Sequence, residues 1–222
     1  MKVYLNDRII HFTDTRPDTI TAGDMFIVCD TRKQMKKAFR EFESDPAIRH
    51  LYLQFQNDEH KREIMDDFLA LFKIVEAAGG VVKNDYGEIL FIHRLGYWDL
   101  PKGKISKRDR KIAKDKSDKK ILDAGCRMQD PDYARIAAVR EVQEETGLIK
   151  LTVNEELAET WHIYSRGGNK ILKRTYWFGM FADVLQTLTP QAEEDIVEAK
   201  WISPSEFSDI REKCYASLRE LF

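Results

Sequence analysis

The chain has 222 residues, a hydrophobic fraction of 43%, a charged fraction of 33% and a formal net charge of −2. That profile fits a globular protein with one large domain or two modest ones. It excludes a global pull towards nucleic acid or acidic membranes, so any electrostatic message is local. Cys29, Cys126 and Cys214 are far apart and odd in number, which argues against a disulfide framework or a cysteine-based zinc site. No apolar signal core follows Met1, and no run reaches the length of a membrane span. A cytoplasmic protein with reduced thiols and no membrane partner is the expectation.

The first third reads as a small α/β unit. Lys2–Leu5 and Arg8–Phe12 are apolar-rich runs joined by Asn6-Asp7, a hairpin signal. Met25–Cys29 and Ile48–Phe55 read as strands. Between them Met35, Ala38, Phe39 and Phe42 recur at helical spacing, from Asp30-Thr31 to the stop at Asp45-Pro46. A longer helix is capped by Asn57 or Asp58, with Ile64, Phe68, Leu71, Phe72 and Val75 as its apolar stripe. His11, His50 and His60 are scattered, and nothing in residues 1–76 clusters as a metal site, phosphate loop or nucleophile. This domain is expected to dimerise the chain, to shape a substrate site, or to serve as a folded appendage.

Ala77-Ala78-Gly79-Gly80 breaks the helical pattern and marks a boundary, with a second domain over 77–222. Gly79–Val82 and Glu88–Ile92 flank the turn Asn84–Gly87 and predict a β-hairpin. Arg94 stands past the strand end, either as a phosphate contact or as a solvent-facing charge. Trp98-Asp99-Leu100-Pro101-Lys102-Gly103-Lys104 mixes a flat ring with lysines, as a ligand loop does, although Trp98 can equally pack in a core. From Lys104 to Lys120 nine lysines and arginines face only Asp109, Asp115 and Asp118. Such a run is expected as a solvated loop or, by its position, as a cationic lid over a polyanion. Ile121–Cys126 then returns to the fold and Asp130-Pro131 starts a helix.

Ala137–Leu148 follows. As a helix it places Glu141, Glu144 and Glu145 together at spacings of three and four, with Arg140 one turn from Glu144 and Gly147 as terminator. Crowded carboxylates repel one another, and a hard divalent cation offsets that. A solvated acidic face is the plain alternative. Leu151–Val153, Leu157–Tyr164, Ile171–Val184 and Ile196–Trp201 are strand-like. Ser203-Pro204-Ser205-Glu206 starts a helix, and Tyr215–Phe222 is expected to close the chain as another.

Arg140-Glu141-Val142-Gln143-Glu144-Glu145-Thr146-Gly147-Leu148, with Gly103 upstream, resembles the signature of the Nudix hydrolases (MutT-like). That signature runs Gly, five residues, Glu, seven residues, Arg-Glu-apolar-any-Glu-Glu-any-Gly-apolar. Its second half is matched at every fixed position, and the likeness spans roughly residues 77–205. Counting back from Arg140, Asp132 stands where the family has Glu, and Gly103 lies too far upstream. An insertion of about residues 105–130 therefore splits the box.

The resemblance implies a Nudix-type α/β/α sandwich with a mixed sheet, preceded by the small N-terminal α/β domain. It implies hydrolysis of a phosphoanhydride with Mg²⁺ or Mn²⁺ held by Glu141, Glu144 and Glu145. Glu144, Glu141 and Arg140 carry the chemistry, Arg140 by orienting carboxylates. Glu194, or else Glu193, supplies a further carboxylate from the loop Thr189–Asp195. Arg94, Trp98, Lys102 and Lys104 meet a small phosphorylated substrate. The Trp98–Lys104 loop and Gln143 look most like diadenosine polyphosphate and diphosphoinositol polyphosphate hydrolases. A homodimer, and RNA at the basic insertion, are further expected partners. The reading from a different class is a non-catalytic nucleotide- or RNA-binding regulatory module.

Overall fold

The computed structural model describes residues 1–120 and 132–222. Two compact units emerge: Met1–Val75 with Trp161–Lys173, and Glu76–Thr160 with Arg174–Phe222. Residues 161–173, which the sequence assigns to a domain over 77–222, pack with the N-terminal residues. The expected turns at Ile121–Cys126 and Asp130-Pro131 lie outside the described residues. Among the described residues no helix is long and apolar enough to cross a membrane.

In the first unit β1 (Lys2–Leu5) and β2 (Arg8–Thr13) pair antiparallel, with Leu5 opposite Arg8. Asn6 closes the turn at φ 55°, a conformation asparagine tolerates better than most residues. β3 (Asp24–Val28) follows, then α1 (Arg32–Ser44). The Thr31 side chain caps α1 by accepting from the Gln34 amide at 3.3 Å. Met35, Ala38, Phe39 and Phe42 form its buried stripe. β4 (His50–Gln54) lies parallel to β2 and β3.

α2 (Asp58–Leu69) is capped by Asn57, which accepts from the His60 amide at 2.9 Å. It stops at Leu69 instead of running to Val75. The Leu71 and Phe72 amides bond three residues back, to Phe68 and Leu69, which winds the helix down. Leu71 and Phe72 still pack on the core, so their helical spacing misleads. That core joins Phe12, Phe39, Phe42, Leu51, Leu53 and Phe68. His11 and His50 also meet, with ring nitrogens 3.1 Å apart. Burial, then the neighbouring His50, hold His11 down to about 4.

The second unit begins with β5 (Lys73–Lys83), whose first residues precede the boundary. Ala77-Ala78-Gly79-Gly80 is the buried middle of this strand, not a break between elements. The small residues are needed for close packing. A Cβ on Gly79 would lie 2.8 Å from the Trp177 ring, and one on Gly80 2.9 Å from Val142. β6 (Ile89–Arg94), β7 (Tyr97–Asp99) and β8 (Lys102–Lys104) follow, all antiparallel to their neighbours.

Next come α3 (Lys107–Lys120), α4 (Asp132–Thr146), β9 (Thr152–Glu156), β10 (Thr160–Arg166), β11 (Asn169–Phe181), β12 (Ile196–Ile202) and α5 (Phe207–Lys213). The strand order β12-β6-β5-β11 makes the sheet of this unit. One apolar cluster packs α4 against it through Ala134, Ala137, Ala138 and Val142; a second gathers Phe91, Trp177, Ile202 and Ile210. Tyr215–Phe222 is not a helix but a short 3₁₀ turn, Ala216–Leu218, because Phe222 packs its ring edge-on against Phe91 and Phe207. Trp161–Lys173 is the tip of the β10–β11 hairpin. In the first unit β10 lies parallel to β1, with Trp161 opposite Val3.

Candidate active site

α4 buries its alanines and Val142, and near its C-terminal end Glu145 is buried, Glu141 half-buried and Glu144 exposed. Gly147, at φ +78°, ends the helix, its amide returning to the Gln143 carbonyl at 2.9 Å. The three glutamates then have different surroundings. Glu145 is 3% exposed and accepts from the Lys102 amide at 2.7 Å. Burial pushes its carboxyl up to about 7, against the pull of Lys102. Glu141 is also raised by burial, against Arg140. Glu144 is 47% exposed.

Arg140 organises one half of the site. Its guanidinium makes a fork with Asp109, Nε to Oδ1 at 3.0 Å and Nη2 to Oδ2 at 2.9 Å. Nη1 reaches Glu141 and Glu144, each at 2.7 Å, and Nη2 also donates to the Lys104 carbonyl at 3.0 Å. Three carboxylates thus share one guanidinium. Glu141 passes so close to β8 that a Cβ on Gly103 would lie 2.0 Å from its Oε2. Only glycine fits there without moving the carboxylate.

Arg94 organises the other half. Its Nη2 donates to Glu194 Oε2 at 3.0 Å and its Nη1 lies 3.9 Å from Glu145 Oε1. The Arg94 Nε is buried with no hydrogen-bond partner. Glu194 stands at the end of a 3₁₀ turn, before Asp195 in the left-handed region at φ 59°. Glu193 is exposed on the same turn. The Lys102 ammonium is held by Asp99 at 2.7 Å, and Lys104 is exposed. Trp98 packs edge-on against His93 and onto the second apolar cluster.

The chain therefore brings together Glu141, Glu144, Glu145, Arg140, Lys102, Arg94 and Glu194, and directs Trp98 towards the core. As the side chains stand, no three His, Cys, Asp or Glu groups among the described residues converge to hold a metal. Arg140 draws Glu141 and Glu144 to itself, and the Lys102 amide holds Glu145. The donor chemistry nevertheless suits a hard divalent cation, since the hydrogen-bonded carboxylates outnumber the cations and Glu145 is almost wholly desolvated.

The residue missed from sequence is Asp109. It is fully buried. Burial alone would raise its carboxyl, but bonds from Arg140 and Ser106 outweigh that and hold it at about 2. It sits on α3, in the run expected as a solvated loop or lid. α3 is ordered at its start by reciprocal bonds. The Ser106 amide donates to Asp109 at 2.7 Å, and the Asp109 amide donates to Ser106 Oγ at 3.2 Å. Arg110 adds a bridge to Glu76 and lies over the Tyr133 ring at 4.3 Å. Counting forward from Gly103 would have found Asp109, because five residues separate them.

Residues 127–221 match the family model described as NUDIX domain. No curated protein matches the chain. Among solved structures it is similar to an Ap4A hydrolase binary complex from C. elegans, at 21% identity and a TM-score of 0.43, covering 66% of this chain and 91% of that one. It is similar to a MutT protein from Methanosarcina mazei Go1 at 18% identity and 0.44, covering 67% and 90%. It is also similar to the NUDIX domain of Shewanella oneidensis NrtR complexed with ADP ribose, at 14% and 0.43, covering 70% and 93%. The matched residues take in α4 with its three glutamates.

Proposed function

We propose that this domain is a metal-dependent pyrophosphohydrolase cleaving a phosphoanhydride in a nucleoside polyphosphate-type substrate. The observation that carries the reading is the carboxylate excess at the site: Asp109 from α3 with Glu141 and Glu144 from α4 around Arg140, and Glu145 desolvated beside them. Glu141, Glu144 and Glu145 would hold Mg²⁺ or Mn²⁺. Bound there, the cation supplies Lewis-acid neutralisation of phosphate charge. Glu144, half exposed, is the carboxylate best able to exchange Arg140 for a cation. With a cation bound, Asp109 would keep the Arg140 guanidinium in place, so that Arg140 orients the carboxylates. Glu194, tied to the site by Arg94, takes the proton from the attacking water. Arg94, Lys102 and Lys104 present positive charge to the phosphates.

We infer that Asp109 fills the place of the signature's first Glu. Thirty residues separate it from Arg140 where the signature has seven, so the added residues enter after Asp109 and not after Lys104. Diadenosine and diphosphoinositol polyphosphates are the substrates to try first, since the Trp98–Lys104 loop and Gln143 look most like the hydrolases of those substrates.

The test is phosphate release from a panel of nucleoside polyphosphates, with and without Mg²⁺. Glu144→Gln and Glu145→Gln should each lower turnover by ~100-fold or more. Activity that survives both substitutions, or a chelator, sinks the reading. A second reading, a nucleotide- or RNA-binding regulatory module, draws on Arg140 occupying Glu141 and Glu144. Nucleotide binding with no turnover of any anhydride would decide for it.

A further inference from the structure

α3 has two unlike faces. Asp109 and Ala113 are buried and Ile112 is half-buried, so this side meets the domain. Lys107, Arg108, Lys111 and Lys114 are all exposed. At 100° per residue these four fall on one stripe about 120° wide opposite the buried side, with the exposed Asp115 inside it between Lys111 and Arg108. None of them makes an ion pair among the described residues. The stripe covers two turns, ~10 Å along the axis.

The stripe is rigidly mounted. Asp109 is clamped by Arg140 and Arg110 by Glu76, one residue apart on the helix. A solvated basic loop pays ordering entropy whenever it binds, whereas a docked helix presents its cations in fixed order. The chain as a whole is at −2, so the positive charge is segregated here.

We propose that this face of α3 binds the phosphodiester backbone of a single-stranded nucleic acid. A convex line of cations cannot enclose a small anion, but it matches a line of phosphates. The exposed stripe carries no apolar residue to enter a bilayer, since Ile112 turns inward. One helix face is wide enough to follow one strand. The surface stands apart from the hydrolysis proposed above and is tested separately.

The probe is a fluorescent oligouridylate of about twelve nucleotides, titrated by anisotropy with a chelator present so that nothing turns over. Four phosphate contacts predict a slope of log K against log salt of about −3. Changing Lys107, Arg108, Lys111 and Lys114 together to Glu should weaken binding by ~100-fold and flatten the slope. The Gln version should fall between. A melt followed by circular dichroism checks that both variants fold. Glu144→Gln should bind the strand as wild type does, so loss of hydrolysis and loss of binding are separable. Unchanged affinity in the Glu variant, a slope shallower than about −1, or equally tight charge-dependent binding to phosphatidylserine vesicles would overturn the proposal.

Discussion

α1 and α3 are of similar length and both are rich in lysine and arginine, yet they are held to their units by different forces. α1 buries Met35, Ala38, Phe39 and Phe42, an apolar stripe that any nearby sheet face would attract. α3 has one alanine and one isoleucine to offer. It is held by Asp109 to Arg140 and by Arg110 to Glu76, partners at least thirty residues away in sequence. Hydrophobic burial is non-directional and forgiving. An ionic anchor works only if its partner arrives with the right geometry.

The largest effect should come from removing apolar mass under α1. Phe42→Ala leaves a cavity in the first core and should lower unfolding free energy by about 3–5 kcal/mol. Denaturant titration of the whole chain measures it, and a loss below about 1 kcal/mol would mean that the stripe is not what holds α1. Asp109→Ala should cost about 2–4 kcal/mol, because it removes the two-bond fork and leaves the Nε of a half-buried guanidinium without its partner. Amide hydrogen exchange should then rise along Lys107–Asp115 and stay unchanged in α1. Fast exchange confined elsewhere would show that the ionic anchor is not what orders α3. The smallest pair compares caps. Thr31→Ala should cost about 1 kcal/mol. Ser106→Ala should cost slightly more, since its hydroxyl donates to the Asp109 carboxylate at 2.7 Å whereas that of Thr31 donates to the neutral Gln34 amide oxygen at 2.9 Å. Equal costs would mean that the bond to Asp109 adds nothing to the cap.

The same contrast explains what could be read from sequence. The β1–β2 hairpin follows from Asn6-Asp7, and α1 from its period and its capping Thr31, because local chemistry decides both. The second half of the site was legible for the same reason: one helix carries Arg140, Glu141, Glu144 and Glu145 at fixed spacings. Asp109 was not, because its role is defined by Arg140, and composition drew attention to the lysines around it. The end of α2 was misread since Leu71 and Phe72 are buried at helical spacing although the helix has stopped. Gly79-Gly80 looked like a break because sequence cannot show that Trp177 and Val142 press on that strand.

The Asp109–Arg140 fork has a topological consequence. It closes a ring of chain, and the free energy of closing a flexible ring grows only with the logarithm of its length. If Asp109 takes the place proposed for it, thirty residues are enclosed where the signature has seven, a difference of about 1.3 kcal/mol on that scaling and less than one well-made charged clasp returns. The spacing between the two halves of the motif is therefore a nearly free variable. The chain can grow there without disturbing Glu141 or Glu144, provided the residues at the two ends of the ring still meet.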